Sequence, residues 1–150
     1  MVCGKEGRTM KISTDNRILA FIAGYTRQNG ISPTIREIAD GIGFASIGSV
    51  HRHIAKLEDE GLLDATKGKK RALVLNTSIS VKPDDEDEHH VRLIMANGEN
   101  KYLSFAMHEG APVFSGPFCM NDIHEAGDVI ACCAMTEEAY DSAIEKYLGL

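Results

Sequence analysis

The sequence predicts an α+β protein in two parts, and three observations support this fold class. Apolar residues recur at helical spacing in three segments before residue 61, alternate in short runs between residues 62 and 107, and return to helical spacing after residue 136. Glycine and proline separate these segments. Five consecutive acids at 84–88 lie between the two parts, and such a run stays solvated. We expect a flexible N-terminus at 1–14, a domain at 15–76, an acidic linker at 77–90 and a second domain at 91–150.

The first domain should contain three helices with recognisable ends. The first, at about 15–29, ends before Gly30. Thr34 and Glu37 have the spacing of a capping box, which predicts a short helix at 35–42. Ser46 opens the third helix, which runs to residue 60 and stops at Gly61. The residues expected on the buried stripes are Ile18, Leu19, Ile22, Tyr25, Ile35, Ile38, Ala39, Ile42, Val50, Ile54 and Leu57.

A β-hairpin should follow the third helix. The runs 62–66 and 71–75 are β-prone, and the segment between them contains Gly68 and three lysines. Three helices, the last two joined by a short turn with glycine, followed by a hairpin wing, make a winged helix-turn-helix.

The outward face of the third helix is the candidate binding surface. Val50, Ile54 and Leu57 define its inward side because they recur at i, i+4 and i+7. The outward residues are small, hydroxyl-bearing or basic: Gly48, Ser49, Arg52 and Lys56, with His51 at the flank. Such a face can lie flush in the major groove of DNA, where Arg52 suits a guanine edge. Ser46 at the N-cap can contact phosphate or serve only as a cap. His53 is expected to be packed.

The same segment resembles the DNA-binding domain of the LexA family, the bacterial SOS-response repressors. The shared motifs are PTIREI at 33–38, GF at 43–44, SIGSVHRHI at 46–54, LEDEGL at 57–62 and RALVL at 71–75. The resemblance covers about 16–76 with almost no gaps. It implies base contacts from Ser46, Gly48, Ser49, His51 and Arg52, and contacts with phosphate or the minor groove from Lys67, Lys69, Lys70 and Arg71. We add Thr34 and Lys56 to the expected DNA contacts. The wing lysines could instead be only a polar hairpin tip.

Charge is distributed unevenly along the chain. The net charge is −6, but residues 1–76 carry 12 Lys and Arg against 8 Asp and Glu, whereas residues 77–150 carry 4 against 14. A basic first domain suits a polyanionic partner. We find no membrane span, no signal peptide and no disulfide framework among the four cysteines. A cytoplasmic protein with reduced thiols is therefore expected.

The second domain should hold an antiparallel hairpin sheet and a terminal helix. Apolar residues alternate at 91–95 and 103–107 on either side of Asn97-Gly98, a strong hairpin signal. The segment 113–115 can form a further short strand, and 129–135 has the pattern of a buried strand. Thr136 should cap a helix at 137–148, whose charges match the helix dipole.

This half does not resemble the self-cleaving serine peptidase of the LexA family. It is too short for that peptidase, and the linker has no Ala-Gly cleavage pair. Ser104 or Ser115 with Lys146 would make a Ser–Lys dyad, but neither serine lies in a recognised motif. We expect neither autoproteolysis nor enzymatic activity.

Dimerisation is the expected role of the second domain, because bacterial operators are commonly bound by two-fold dimers. The sequence thus predicts a sequence-specific transcriptional regulator, a repressor that binds double-stranded DNA at a bacterial or phage operator as a homodimer through residues 91–150. No cofactor, metal or membrane partner is expected.

Two alternatives stay open. One is a winged-helix protein-interaction factor of the antirepressor or host-takeover type, and the acid run could then mimic DNA. The other is a sensor whose second domain binds a metabolite or a metal. Its candidate ligands lack the tight spacing of a metal site: His89, His90, His108, Cys119, His124, Cys132 and Cys133.

Overall fold

The computed structural model of the 150-residue chain describes residues 12–66, 71–115 and 128–149. The helices in these ranges are α1 (Thr14–Asn29), α2 (Ile35–Ile42), α3 (Ile47–Asp59) and α4 (Glu137–Leu148). The strands are β1 (Leu63–Ala65), β2 (Leu73–Leu75), β3 (Glu88–Met95), β4 (Asn100–His108), β5 (Ala111–Ser115) and β6 (Val129–Met135). The predicted α+β class is confirmed, and each helix begins and ends within one residue of its predicted position.

Hydroxyl side chains cap the N-terminal ends of the helices. The Thr34 hydroxyl accepts from the Glu37 amide, and Glu37 accepts in return from the Thr34 amide, which completes the predicted capping box. Ser46 caps α3 through the Ser49 amide. These bonds satisfy amide groups that have no partner within the helix, so the caps fix where each helix starts.

The first three helices and the β1–β2 hairpin enclose one apolar core. Val50, Ile54 and Leu57 of α3 are each at most 4% exposed. They pack with Ile18, Leu19 and Ile22 of α1, Ile38 of α2, and Leu62 and Leu63 at the start of the hairpin. β1 and β2 pair antiparallel. The predicted winged helix-turn-helix therefore has its three helices and both wing strands. The predicted wing-tip residues Lys67, Lys69 and Lys70 lie outside the described residues.

The remaining strands form one antiparallel sheet in the order β5-β4-β3-β6. The turn between β3 and β4 contains Gly98 at φ 88°, as the Asn97-Gly98 signal predicts. Glu109 and Gly110, both with positive φ, join β4 to β5, which is longer than the segment 113–115. β5 is an exposed edge strand, and Pro112 within it has no N–H to donate.

The structure corrects the predicted acidic linker at 77–90. β3 begins at Glu88, so the last three linker residues belong to the sheet. The Glu88 carboxylate accepts hydrogen bonds from the hydroxyls of Ser104 at 2.6 Å and Ser115 at 3.0 Å, and these bonds keep the pKa of Glu88 below its usual value. Ile79 and Val81 pack against the sheet. The predicted solvated spacer is therefore shorter than expected.

The sheet packs directly on the helices. Ile94, Ala131 and Cys133 belong to the same apolar cluster as the buried residues of α1 and α3. The Cys132 amide donates to the Asn76 carbonyl at 2.8 Å, so the chain that leaves the wing is bonded to β6. The two predicted domains thus share one of the two apolar clusters found within the described ranges.

Cys132 and Cys133 are buried free thiols, and burial raises the pKa of each. They occupy the sheet as small apolar side chains, as the sequence predicts. Cys3, Cys119, His124 and most of the predicted flexible N-terminus lie outside the described residues. No helix in the described part of the chain has the length and apolar character needed to cross a membrane.

Replacing Ile94 by alanine should destabilise both halves of the protein together. Ile94 is fully buried, and truncation of such a side chain costs about 2–5 kcal/mol. Native-state hydrogen exchange should report the same loss of stability for amides of α1 and of β3. Ile31→Ala, at a site 48% exposed, should change little. Loss of protection in β3 alone would show that the two halves unfold independently.

Candidate nucleic-acid interface

The exposed side of α3 carries an ordered row of polar side chains. The hydroxyl oxygens of Ser46 and Ser49 are 3.2 Å apart, and Arg52 donates from Nη2 to the Ser49 hydroxyl at 3.2 Å. The spacing i, i+3, i+6 puts these residues on one side of successive turns. The row holds the Arg52 guanidinium along the helix, where its remaining N–H groups are free to face a ligand.

Gly48 has no side chain, so the exposed side of α3 is shallow next to the Ser46–Ser49–Arg52 row. A Cβ built on Gly48 would meet no atom of the described residues within 4 Å, so internal packing does not require glycine there. Glycine within a helix costs about 0.5–1 kcal/mol relative to alanine. Alanine would therefore fit at position 48 without displacing any of the described residues.

An open groove of about 760 Å³ lies between α3, the start of α2 and the wing. Its lining combines apolar and charged residues, among them Thr34, Arg36, Ile47, His51 and Arg71. Thr34 and Arg71 were expected at the site, but Arg36 was not. Arg36 is exposed and does not belong to the apolar stripe of α2. From the sequence alone it looks like any surface arginine, and it becomes a candidate contact residue because the fold places α2 beside α3.

Arg71 is bound within the domain. Its guanidinium lies 2.8 Å from the Glu37 carboxylate and donates to the Ser32 carbonyl at 3.1 Å. Tyr25 donates its hydroxyl to Glu37, and this bond, with those from Thr34 and the charge of Arg71, keeps the pKa of Glu37 below its usual value. Arg71, which lies just before β2, therefore connects the wing to Tyr25 of α1 and Glu37 of α2.

Lys56 and His53 are both tied to α1 through Asp15. Lys56 donates from Nζ to one Asp15 oxygen at 2.7 Å, and His53 Nδ1 is hydrogen-bonded to the other at 2.6 Å. The packed role expected for His53 agrees with this contact. The bond to Asp15 also raises the pKa of Lys56, so its ammonium stays charged and is paired with the Asp15 carboxylate on the side of α3 that faces α1.

Burial and hydrogen bonding act in opposite directions on Asp15. Burial of the carboxylate opposes its charge, but the bonds from Lys56 and His53 outweigh burial, and the pKa of Asp15 lies below its usual value. The ionised Asp15 is therefore stabilised in the folded protein.

The structure brings most of the predicted contact residues together. Ser46, Gly48, Ser49, His51 and Arg52 share the exposed side of α3. Thr34 and Arg71 line the adjoining groove, whereas the ammonium of Lys56 points to Asp15. Lys67, Lys69 and Lys70 lie outside the described residues.

No three His, Cys, Asp or Glu side chains within residues 12–66, 71–115 and 128–149 are arranged to hold a metal ion. His89 and His90 are consecutive on β3, so they point to opposite faces of the sheet and cannot share one ion.

Comparison with known proteins concerns the N-terminal part of the chain. The family model of the LexA DNA binding domain matches residues 13–72. The LexA repressor of Carboxydothermus hydrogenoformans is 44% identical over 61 residues, which cover 41% of this chain and 30% of that protein. The LexA repressor of Brevibacillus brevis is 35% identical over 81 residues, covering 54% and 39%. The resemblance predicted for 16–76 is confirmed, and the matched region spans less than two fifths of the length of these relatives.

Asp15→Asn should remove a pH-dependent part of the stability. Because the folded pKa of Asp15 is lowered, the carboxylate contributes stability that is complete above its ordinary pKa of 3.8 and is lost as the pH falls through the folded value. At neutral pH the substitution should cost about 1–3 kcal/mol, as expected for hydrogen bonds to a charged group. Urea midpoints measured between pH 2 and 7 should converge for the two proteins at the acidic end (roughly the range of carboxylate titration).

Asp40→Asn, on the exposed side of α2, is the matched control and should leave the unfolding midpoint nearly unchanged at neutral pH. Parallel pH profiles for Asp15→Asn and the wild type would contradict a role for the Asp15 carboxylate.

Proposed function

We propose that this chain is a transcriptional regulator that binds double-stranded DNA through α3 and represses by occupying an operator. The observation that carries the proposal is the shallow polar face of α3, in a segment that matches the LexA DNA binding domain. An α-helix fits the major groove when its outward side chains are small or can donate to base edges. Val50, Ile54 and Leu57 of α3 are buried in the core, whereas the polar face is exposed to a partner, with Ile47 beside it at 37% exposed.

Arg52 is the proposed base-reading residue. A guanidinium can donate two parallel hydrogen bonds to the O6 and N7 atoms of guanine, which gives about 1–3 kcal/mol of discrimination. The bond from Arg52 to Ser49 orients the guanidinium before DNA arrives. Ser46, Ser49 and His51 would contact neighbouring bases or phosphates, and Gly48 would allow the helix to approach the base edges closely.

The groove beside α3 supplies the proposed phosphate contacts. Arg36 and Thr34 line it with the base of the wing, and phosphate groups are bound by arginine, hydroxyl and backbone donors. Lys67, Lys69 and Lys70 would extend these contacts from the wing. Arg71 and Lys56 would contribute charge, although each would have to share its donors with an internal carboxylate.

We further propose that the regulator acts as a homodimer through residues 91–150 and does not cleave itself. Exposed Leu148 on α4 and exposed Val113 and Phe114 on β5 supply apolar surface for a two-fold contact. The hydroxyls of Ser104 and Ser115 donate to Glu88 rather than to a lysine, which argues against a Ser–Lys dyad.

Arg52→Ala should weaken specific DNA binding about 10- to 100-fold and relax the preference at one base pair. The measurement is fluorescence anisotropy with duplexes selected from a random library by the wild-type protein, at fixed salt. Arg27→Ala is the matched control, because Arg27 is exposed and its guanidinium lies 3.4 Å from Asp128. It should bind the selected duplexes nearly as the wild type does. No affinity of the wild type for any duplex in dilute buffer would overturn the proposal.

Gly48→Ala should raise the stability of the protein and lower its affinity for DNA. Alanine has space at position 48 and higher helix propensity, so the free energy of unfolding should rise by up to about 1 kcal/mol. DNA affinity should nevertheless fall, because the added methyl group stands between α3 and the bases. Gly24→Ala on α1, also in open space, should stabilise the protein similarly and leave DNA affinity unchanged. Equal DNA affinity for the two alanine variants would exclude a close approach at Gly48.

A further inference from the structure

Arg92 of β3 connects the C-terminal sheet to α3. Its Nη1 donates to the Glu60 carboxylate at 2.7 Å, and Glu60 is the C-cap residue of α3. Its Nε donates to the Asn100 side-chain oxygen at 3.0 Å, and its Nη2 to the Asn16 side-chain oxygen at 3.2 Å. The Arg92 side chain is only 18% exposed, and these hydrogen bonds compensate for the loss of water around its guanidinium.

Asn16 of α1 contributes to the same contact between the helices and the C-terminal sheet. It is 1% exposed, and its side-chain nitrogen donates to the Gly98 carbonyl and to Asn100, both at 2.9 Å. Its side-chain amide is thus bonded to three residues of the β3–β4 hairpin, namely Arg92, Gly98 and Asn100. The first turn of α1 and the β3–β4 hairpin are therefore fixed to each other by a buried polar cluster.

Three charged or polar anchors hold one side of α3. His53 and Lys56 are bonded to Asp15, and Glu60 is bonded to Arg92, at positions i, i+3 and i+7. Asp15 and Asn16 are consecutive residues of α1, so the anchors of α3 and of the sheet meet at one helix start. The Ser46–Ser49–Arg52 row follows the same side of α3 towards its N-terminal end, because Ser49 lies four residues before His53 and seven before Lys56. The residues that would touch DNA are thus on a helix whose orientation depends on these bonds.

We infer that Arg92 is a positioning residue for DNA recognition, which it serves through Glu60 without touching DNA. The inference rests on the proposed DNA-binding function of α3. Contacts with base edges require side chains to be held within about 0.5 Å of the productive geometry. A 13-residue helix is about 20 Å long, so a small tilt at its C-terminal end moves its N-terminal turn by more than this tolerance. The C-terminal half of the chain therefore takes part in DNA binding by fixing the angle of α3.

The test compares Arg92→Gln, Arg92→Lys, Glu60→Gln and the double variant Arg92→Gln/Glu60→Gln in the full chain. DNA affinity for the selected duplexes should fall about 5- to 30-fold in Arg92→Gln, in the range of coupling within one ion-pair network. The double variant should lose little more than either single variant, because both remove the same bond. Arg92→Lys keeps the charge and should fall between Arg92→Gln and the wild type, which provides a readout if Arg92→Gln folds poorly.

The salt dependence of binding separates positioning from direct contact. Each lost phosphate contact reduces the slope of log affinity against log salt by about one, whereas a positioning residue leaves the slope unchanged. Wild-type affinity in Arg92→Gln, or a slope reduced by one, would overturn this inference while the proposed function stands. Absence of duplex binding by the wild type would instead remove the proposed function itself. Hydrogen exchange of the α3 amides should also accelerate near residue 60 in Arg92→Gln, and unchanged exchange would contradict the inference.

Discussion

The burial of Val50, Ile54 and Leu57 on one side of α3 constrains the rest of the molecule. These three residues place the main apolar stripe of the helix in the core. The bonds from His53, Lys56 and Glu60 to α1 and β3 fix the rotation and the tilt of the helix. The side with Ser46, Gly48, Ser49 and Arg52 stays exposed. A helix held this way presents a preformed surface, so little ordering would be needed when a ligand binds.

The C-terminal sheet contributes to this arrangement as a structural neighbour. It shares an apolar cluster with the helices, and Arg92, Asn100 and Asn16 form a buried polar junction at the same boundary. Apolar packing alone tolerates sliding, whereas hydrogen bonds to a buried amide have one geometry. The two kinds of contact together explain how a sheet distant from the exposed face of α3 can determine the orientation of that helix.

Local patterns in the sequence were sufficient for the helices, the caps, the hairpins and the outward face of α3. Contacts between residues far apart in sequence were not predictable in the same way. Asp15 lies 41 residues before its partner Lys56, and Arg92 lies 32 residues after Glu60. A helical wheel shows that Lys56 points away from Val50, but it cannot show that Asp15 of α1 lies next to Lys56 in the folded chain. The acid run misled the linker assignment because the Ser104 and Ser115 hydroxyls, which hold Glu88, come from later strands.

Pro112 has a consequence for how molecules of this protein meet at high concentration. Pro112 lies in the edge strand β5, where a strand from a second molecule could otherwise pair with the sheet. Without an amide hydrogen at that point, an incoming strand finds a gap in the row of donors. Pro112 thereby opposes continuous pairing of strands from one molecule to the next.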